Sequence, residues 1–504
     1  MSAASSLWWP IMADLFGSRR RWGRSCRYLA LPLIVVAFSG DAHAAVTTLS
    51  NNGPPSNRVD VVFLGDGYTQ ADLDGGVYDA HIQSYVDYLF TSSTYLNDPF
   101  DRYAKFFNIH KIDVVSAQSG ADKPSQGIFV NTALDATYEA SGVDHRLIVN
   151  ENKATAARRE ALTGTGITAD MRYVVVNDTK YGGAGGTWAV FAGGNSSAHE
   201  IALHEVGHSF STLADEYSDL PGSYGGGEPY EANITTSATG SKWSRWAGFD
   251  DPRGSNLDIG AYLGGNRYSA GIYRPSENSK MRSLGQSFDA VGREAIIIEM
   301  YDFLDPLDGW KSNSTPIANE PLWVDLIDPE VQGIEWFVNG TLVPGANDSV
   351  FDASLFGFGY GNYSVRARAY DRVLDHVGDG GLLDLVRKNL NRLEQSVTWS
   401  LLLTPPKIGD FNGSGTVDAA DLDVWRMHVG MDGVAQRAEG DADGDQDVDG
   451  NDFLIWQQQL NSGVSNGGAA VPEPGAAAII LAALLCVTPY RRQRSFLRCA
   501  YSGR

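Results

Sequence analysis

Cysteine is almost missing from this chain. Of 504 residues only Cys26, Cys486 and Cys499 carry a thiol, and all three lie near the ends. The long stretch between them therefore has no disulfide framework, so its stability has to come from buried cores and bound metals. Basic residues are also few: 39 Lys and Arg against 61 Asp and Glu leave a net charge of −22, which argues against nucleic acid as a partner. The apolar run YLALPLIVVAFSG (28–40) is too short to span a bilayer comfortably. The glycine-rich KYGGAGGTWAVFAGG (180–194) has no Lys-Ser/Thr after it and no dinucleotide fingerprint, which excludes a phosphate cradle.

What is present begins with addresses at both ends. The basic block RRRWGRSCR (19–27) precedes the run 28–40, and Ala42-His43-Ala44 supplies small residues for a cut before Ala45, so residues 1–44 read as a signal peptide, with a retained anchor as the alternative. At the other end VPEPGAAAIILAALLCVTPYRRQR (471–494) runs from Pro-Glu-Pro through an apolar stretch into a basic cluster. That order resembles the PEP-CTERM sorting tails of Gram-negative-type bacteria, assigned here to 466–504, and implies processing during export to the cell surface. A plain C-terminal anchor is the competitor. The expectation is an exported, cell-surface or extracellular protein that meets a membrane only through its terminal segments.

Between these ends several domains are expected. RVDVVFLGD (58–66), FFNIHKIDVVS and MRYVVVND (171–178) read as strands, and DAHIQSYVDYLF reads as a helix, a pattern that predicts a mixed α/β catalytic domain over 45–310. TWAVFA (187–192) is a candidate edge strand to which an extended peptide could add, with an ordinary interior strand as the equal alternative. LWVDLID, IEWFVNG, YSVRARAYD and SVTWSLLL are short alternating strands that suggest an Ig-like β-sandwich over 311–404. TPPKIGD (404–410) marks a linker into an acidic, glycine-rich region.

The stretch AHEIALHEVGHSFSTLADEYSD (198–219) carries the chemistry. A helix over 198–213, opened by a capping box of Ser197 and Glu200, places His204 and His208 about 40° apart on one face. Ala202, Val206, Phe210 and Leu213 fall on the opposite face, and His199 on the apolar side reads as structural. Two imidazoles one turn apart suit one tetrahedral zinc, and Glu205 between them suits a general base that takes a proton from water and passes it to a leaving amine. A third ligand is required. On a continuous helix Asp215 would lie about 10 Å along the axis from His208, so the chain has to break near Ser211–Thr212 and fold back, bringing either Asp215 or Glu216 to the metal.

HEVGHSFSTLADEY (204–217) with YRPSENSKMRSL (273–284), FLGDGYT (63–69), DVVSAQSGAD (113–122) and KWSRWAG (242–248) resembles the IgA-peptidase family of bacterial zinc metallopeptidases, over roughly residues 57–310. The resemblance implies a metzincin-like fold with a methionine turn under the zinc, for which Met281 is the matching position. Metzincins usually carry a Gly three residues after the second His and a His three further on; Ser211 and Ala214 stand there instead. Related bacterial metzincins with a Leu-Pro-Asp-Glu-Tyr segment use its Asp as ligand. LADEY (213–217) resembles that segment, which favours Asp215 over Glu216. Tyr217 either bonds the site or packs.

The acidic region contains a repeat, DFNGSGTVDAAD (410–421) and DADGDQDVDGND (441–452). Oxygen-bearing side chains fall at positions 1, 3, 5, 9 and 12 of an EF-hand-type loop: Asp410, Asn412, Ser414, Asp418 and Asp421, then Asp441, Asp443, Asp445, Asp449 and Asp452. Position 7 offers the carbonyls of Thr416 and Asp447. An apolar helix follows each loop. The pair, with its helices spanning 405–465, is similar to a dockerin domain, which implies calcium and a cohesin-like docking partner. Gln446 stands at the sharp-turn position filled by Gly415 in the first loop, which predicts a weaker or distorted second site.

The expected function is an exported zinc endopeptidase acting on protein or peptide, with zinc at His204, His208 and Asp215 and calcium in the paired loops. The alternative is a non-catalytic surface adhesion or assembly protein on a metalloprotease scaffold. An intact Glu205 speaks against it.

Overall fold

The computed structural model describes residues 45–91 and 94–460. The expected signal peptide, the sorting tail, residues 461–465 of the calcium module and all three cysteines lie outside them. Among the described residues no helix is long and apolar enough to cross a membrane.

The first domain is built on a six-stranded sheet. In chain order its elements are β1 (Val46–Ser50), β2 (Val59–Asp66), α1 (Gln70–Asp74), α2 (Val77–Thr91), β3 (Phe107–Ile112), α3 (Glu151–Leu162), β4 (Met171–Val176), β5 (Gly183–Ala184), β6 (Ala189–Ala192) and α4 (Ala198–Ser209). The strand order is β1-β3-β2-β4-β6-β5. β2 pairs in parallel with both β3 and β4, and all eight of its residues are buried, as expected for a central strand covered on both faces. One face carries the aromatic cluster of Phe63, Tyr85, Tyr173 and Phe191, in which Phe63 and Tyr173 stack at 4.9 Å. Such pairs contribute about 0.5–1.5 kcal/mol beyond their buried area. α2 and α4 pack on this face.

One open reading is decided and three expectations are corrected. The stretch 187–192 is interior and not an edge: β6 lies between β4 and the short β5, so the sheet ends at β5. The helix does not continue to residue 213 but stops at Ser209. Ser197 makes no capping bond, because Glu200 is drawn to Lys280, Tyr88 and Gly285 instead. Finally, the sandwich begins before residue 311, since the strand Leu307–Trp310 belongs to one of its sheets.

After α4 the chain forms a three-stranded sheet, β7 (Leu220–Ser223), β8 (Tyr262–Gly265) and β9 (Tyr268–Arg274), and then α5 (Ala290–Phe303). The sandwich follows as β10 (Leu307–Trp310), β11 (Ile317–Ala318), β12 (Leu322–Leu326), β13 (Gln332–Val338), β14 (Thr341–Leu342), β15 (Val350–Phe351), β16 (Gly361–Asp371) and β17 (Glu394–Leu403). Its sheets run β10-β12-β15 and β11-β17-β16-β13-β14 around a core that includes Trp336 and Trp399. Several polar contacts join it to the first domain. Arg58 grips Asp308 with two bonds of 2.6 and 2.5 Å, and the buried Asp371 accepts from the hydroxyls of Tyr103 and Tyr301.

The last unit contains α6 (Ala419–His428) and α7 (Gly450–Gln459), each entered through one of the acidic loops. The two halves repeat each other. Trp425 Nε1 donates to the carbonyl of Asp449 and Trp456 Nε1 to that of Asp418, each at 2.9 Å.

Candidate metal centre

The two imidazoles face the cleft because α4 buries its other side, with Ala202, Leu203 and Val206 packed inward. Gly207, within the motif, is set by a close approach: a Cβ there would lie 2.6 Å from the Met281 sulfur. Met281 is buried directly against α4, at the position the resemblance assigns to the methionine turn.

α4 ends in a sharp reversal. The Phe210 amide still bonds Val206, but Thr212 takes φ 49° and the Leu213 amide reaches back to the Gly207 carbonyl at 2.9 Å. A β-branched residue in the left-handed region sacrifices about 1–2 kcal/mol. Contacts just beyond it hold the turn. Asn233 brackets Ala214, accepting from its amide and donating to its carbonyl at 2.8 Å each, and the Glu216 amide donates to the Met281 carbonyl at 2.8 Å.

This reversal brings Asp215 back to the helix. Its Oδ1 lies 3.3 Å from His204 Nε2 and 3.2 Å from His208 Nε2, and those two nitrogens are 3.2 Å apart. The three atoms thus form a nearly equilateral triangle. Ligands at 2.0–2.1 Å from a tetrahedral zinc are separated by about 3.3 Å.

Hydrogen bonds on the far side of each ring decide what faces inward. His204 Nδ1 donates to the Lys280 carbonyl at 3.0 Å and His208 Nδ1 to the Leu213 carbonyl at 2.6 Å. A carbonyl only accepts, so in a neutral ring each Nε2 is left with its lone pair pointing at the other and at Asp215. Asp215 Oδ1 is buried and, apart from the two imidazoles, receives no hydrogen bond among the described residues. Three lone-pair atoms aimed at one point call for a cation. A proton is the smallest that serves: burial would lower His208, but the hydrogen bond and charge of Asp215 outweigh it and push the ring up to about 9. Burial likewise works to raise Asp215, yet its two histidine contacts hold it well below the usual carboxylate range. A divalent metal meets all three donors at once, and the donor set of two imidazoles and a carboxylate suits zinc.

Glu205 and the two imidazoles bring ligand atoms within 4.8 Å of one another. Glu205 stands half-buried in the cleft wall, where burial raises its pKa against the lowering pull of both histidines. Glu216 does not join the triangle. It is buried, accepts from Asn233 Nδ2 at 2.9 Å and from Ser279 Oγ at 2.6 Å, and burial with the nearby Asp289 pushes it up to about 8. Tyr217 lines the cleft and is raised by burial and by Asp215. His199 lies away from the donors, bonded to Ser84 and stacked on Tyr88.

The centre opens into a cleft of about 890 Å³. One rim is the segment after β5. Gly183 bonds residues 145–147 on its outer side, while the backbone groups of Gly185 and Gly186 make no hydrogen bond within the described residues. Gly185 presses on the centre: a Cβ there would lie 2.9 Å from both Glu205 Oε2 and His208 Cβ. His145, Tyr181, Tyr230 and Arg282 also line the cleft. Sequence reasoning gave them no role because they stand in separate loops that only the fold brings together.

In the acidic loops, Asp441, Asp443 and Asp452 approach one another, as do Asp447, Asp449 and Asp452. The hydrogen bonding of the two loops matches at the sharp turn and differs beside it. Asp410 accepts from the amides of Ser414 and Gly415, and Asp441 from those of Gly444 and Gln446. Asp421 and Asp452 are buried and cap the following helices with Asp418 and Asp449. Asn412, Thr416 and Asp445 stand in the same loops. Ser414 Oγ bonds Thr416, and Gln446 takes φ 73° where Gly415 takes 86°.

No curated protein matches the chain. Residues 47–254, which carry the central sheet, α4 and Asp215 but stop short of Met281, match the family model described as IgA Peptidase M64, and this similarity supports a metallopeptidase of the IgA-peptidase family.

Proposed function

We propose that the chain is an exported zinc endopeptidase, with His204, His208 and Asp215 as metal ligands and Glu205 as general base. The observation that carries this reading is the convergence of three donor atoms at 3.2–3.3 Å beside a carboxylate, in an open cleft. Zinc bound there would supply Lewis-acid polarisation of a scissile carbonyl and of a water molecule. Glu205 accepts the proton that water loses as its oxygen bonds to the carbonyl carbon, then delivers that proton to the leaving amine as the C–N bond breaks. Its raised pKa favours a carboxylate that takes up a proton readily. The unpaired backbone of Gly185–Gly186 offers main-chain hydrogen bonds to an extended substrate, which supports a polypeptide rather than a small molecule.

The paired loops are read as calcium sites through Asp410, Asn412, Ser414, Thr416, Asp418 and Asp421, and through Asp441, Asp443, Asp445, Asp447, Asp449 and Asp452. Their repeated hydrogen bonding supports a dockerin-like module that ties the enzyme to a cohesin-like partner. Export to the cell surface rests on the terminal sequences alone.

The test is zinc content and casein hydrolysis of the purified chain beside Glu205→Ala and Asp215→Ala. The reading expects one zinc and cleavage in the parent, zinc without cleavage in Glu205→Ala, and loss of zinc in Asp215→Ala. A parent that binds no zinc sinks it.

A further inference from the structure

The proposed chemistry leaves Glu200 unused, although it sits on α4 one turn before His204. Its Oε2 accepts from Lys280 Nζ and from the Gly285 amide, each at 2.5 Å, and its Oε1 accepts from the Tyr88 hydroxyl. The Lys280 side chain is fully buried. Taking an ammonium out of water is costly, and attraction to a carboxylate offsets this only where the geometry is good. Lys280 also has a second connection to the same helix: its backbone carbonyl is the acceptor for His204 Nδ1.

The residues on either side of Lys280 serve the other metal-binding segment. Ser279 Oγ donates to Glu216, and the Met281 carbonyl accepts from the Glu216 amide, next to Asp215. Residues 279–281 are therefore the place where α4 and the returning Asp215 strand are brought into register.

We infer that Lys280 is a positioning residue of the metal centre: its ammonium, held by Glu200, locks the 279–281 turn to α4 so that its carbonyl fixes the tautomer and orientation of His204. The inference rests on the zinc reading above. Partners of ligating histidines orient the ring, and losing one typically weakens metal affinity 10–100-fold.

The test uses the full chain with Lys280→Met, Glu200→Gln and the double variant. Glu200→Gln keeps an acceptor for the Gly285 amide and removes the charge. Near-ultraviolet circular dichroism and Tm report folding. Competition with a chelator gives the zinc Kd, cobalt substitution gives a d–d spectrum, and kcat and KM are measured separately. The expected result is folded variants with a zinc Kd weaker by about 10–100-fold, an altered cobalt spectrum and a kcat that falls more than KM changes. The double variant should be no worse than the weaker single one, because the two groups act as a unit. If Lys280→Met fails to fold, Glu200→Gln alone decides. A folded variant with parental zinc Kd, cobalt spectrum and kcat overturns the inference. A parent that holds no zinc defeats the site reading itself, so the two failures are distinguishable.

Discussion

Asp215 Oδ1 lies 3.2 Å from His208 Nε2 although the reversal at Thr212 separates them in the chain. The adjacent Glu216 points the other way, into a buried site closed by Asn233 and Ser279. Asp215→Asn should therefore weaken zinc binding by more than the roughly 10–100-fold that loss of an outer partner causes. Glu216→Gln should stay within about tenfold of the parent. Metal titration of both variants checks this. The reverse ranking would make Glu216 the ligand.

Glu205→Gln removes the proton acceptor and leaves the three donor atoms in place. Zinc stoichiometry should stay at the parental value while kcat falls by about 10²–10⁴-fold. Metal analysis and peptide hydrolysis on the same preparation decide it.

Gly185→Ala would place a methyl group 2.9 Å from Glu205 Oε2 and from His208 Cβ. The carboxylate can swing away, but the helix backbone cannot. We expect kcat to fall about 10–100-fold, the scale of a misplaced catalytic group, with Tm nearly unchanged. A variant with full activity would show that the rim does not set the geometry of the base.

Arg58 and Asp308 join the first domain to the sandwich. Burial works to raise Asp308, but the bonds from Arg58 and Asn57 outweigh it, so its folded pKa is lowered. The stabilisation is then fully present above the ordinary carboxylate pKa and is lost as pH falls through the lowered folded value. Asp308→Asn should cost about 1–2 kcal/mol at neutral pH, allowing for partial solvent screening. The Tm difference between parent and variant should shrink as pH falls below about 4. A difference that does not depend on pH would contradict the ion-pair account.

Gln446 takes φ 73° in the second acidic loop. Replacing it with Gly should stabilise the module by about 1 kcal/mol and tighten calcium binding there. Calcium titrations of parent and Gln446→Gly, followed by tryptophan fluorescence from Trp425 and Trp456, test this. An unchanged titration would show that the turn does not limit the second site.

Much of this architecture was legible before the structure. The alternation of strand and helix patterns marked the α/β sheet, and the short alternating strands marked the sandwich. The spacing of His204, Glu205 and His208 put them on one helical face, and the expected break near Ser211–Thr212 is where α4 turns back. Three details were decided by the fold. The 187–192 stretch reads as edge or interior alike, and the pairing of Gly183–Ala184 outside it makes it interior. Ser197 and Glu200 have capping-box spacing, but Lys280 competes for the carboxylate. Helical periodicity continues to Leu213, but the Thr212 turn ends it. For the cap, a partner distant in sequence outbid a local preference worth about 1 kcal/mol.

The sequence by itself determined the local chemistry: two imidazoles and a base one turn apart, two acidic loops in register, and an interior without disulfides. Those features depend on residue type and short-range periodicity, which a single chain segment carries. Tertiary structure decided which carboxylate completes the donor triangle, which strand borders the cleft, and that Lys280 connects Glu200 to His204. Asp215 and Glu216 are chemically almost equivalent neighbours. Only the direction of the backbone after Thr212, set by Asn233 and by the turn at Met281, sends one toward the imidazoles and the other into the core.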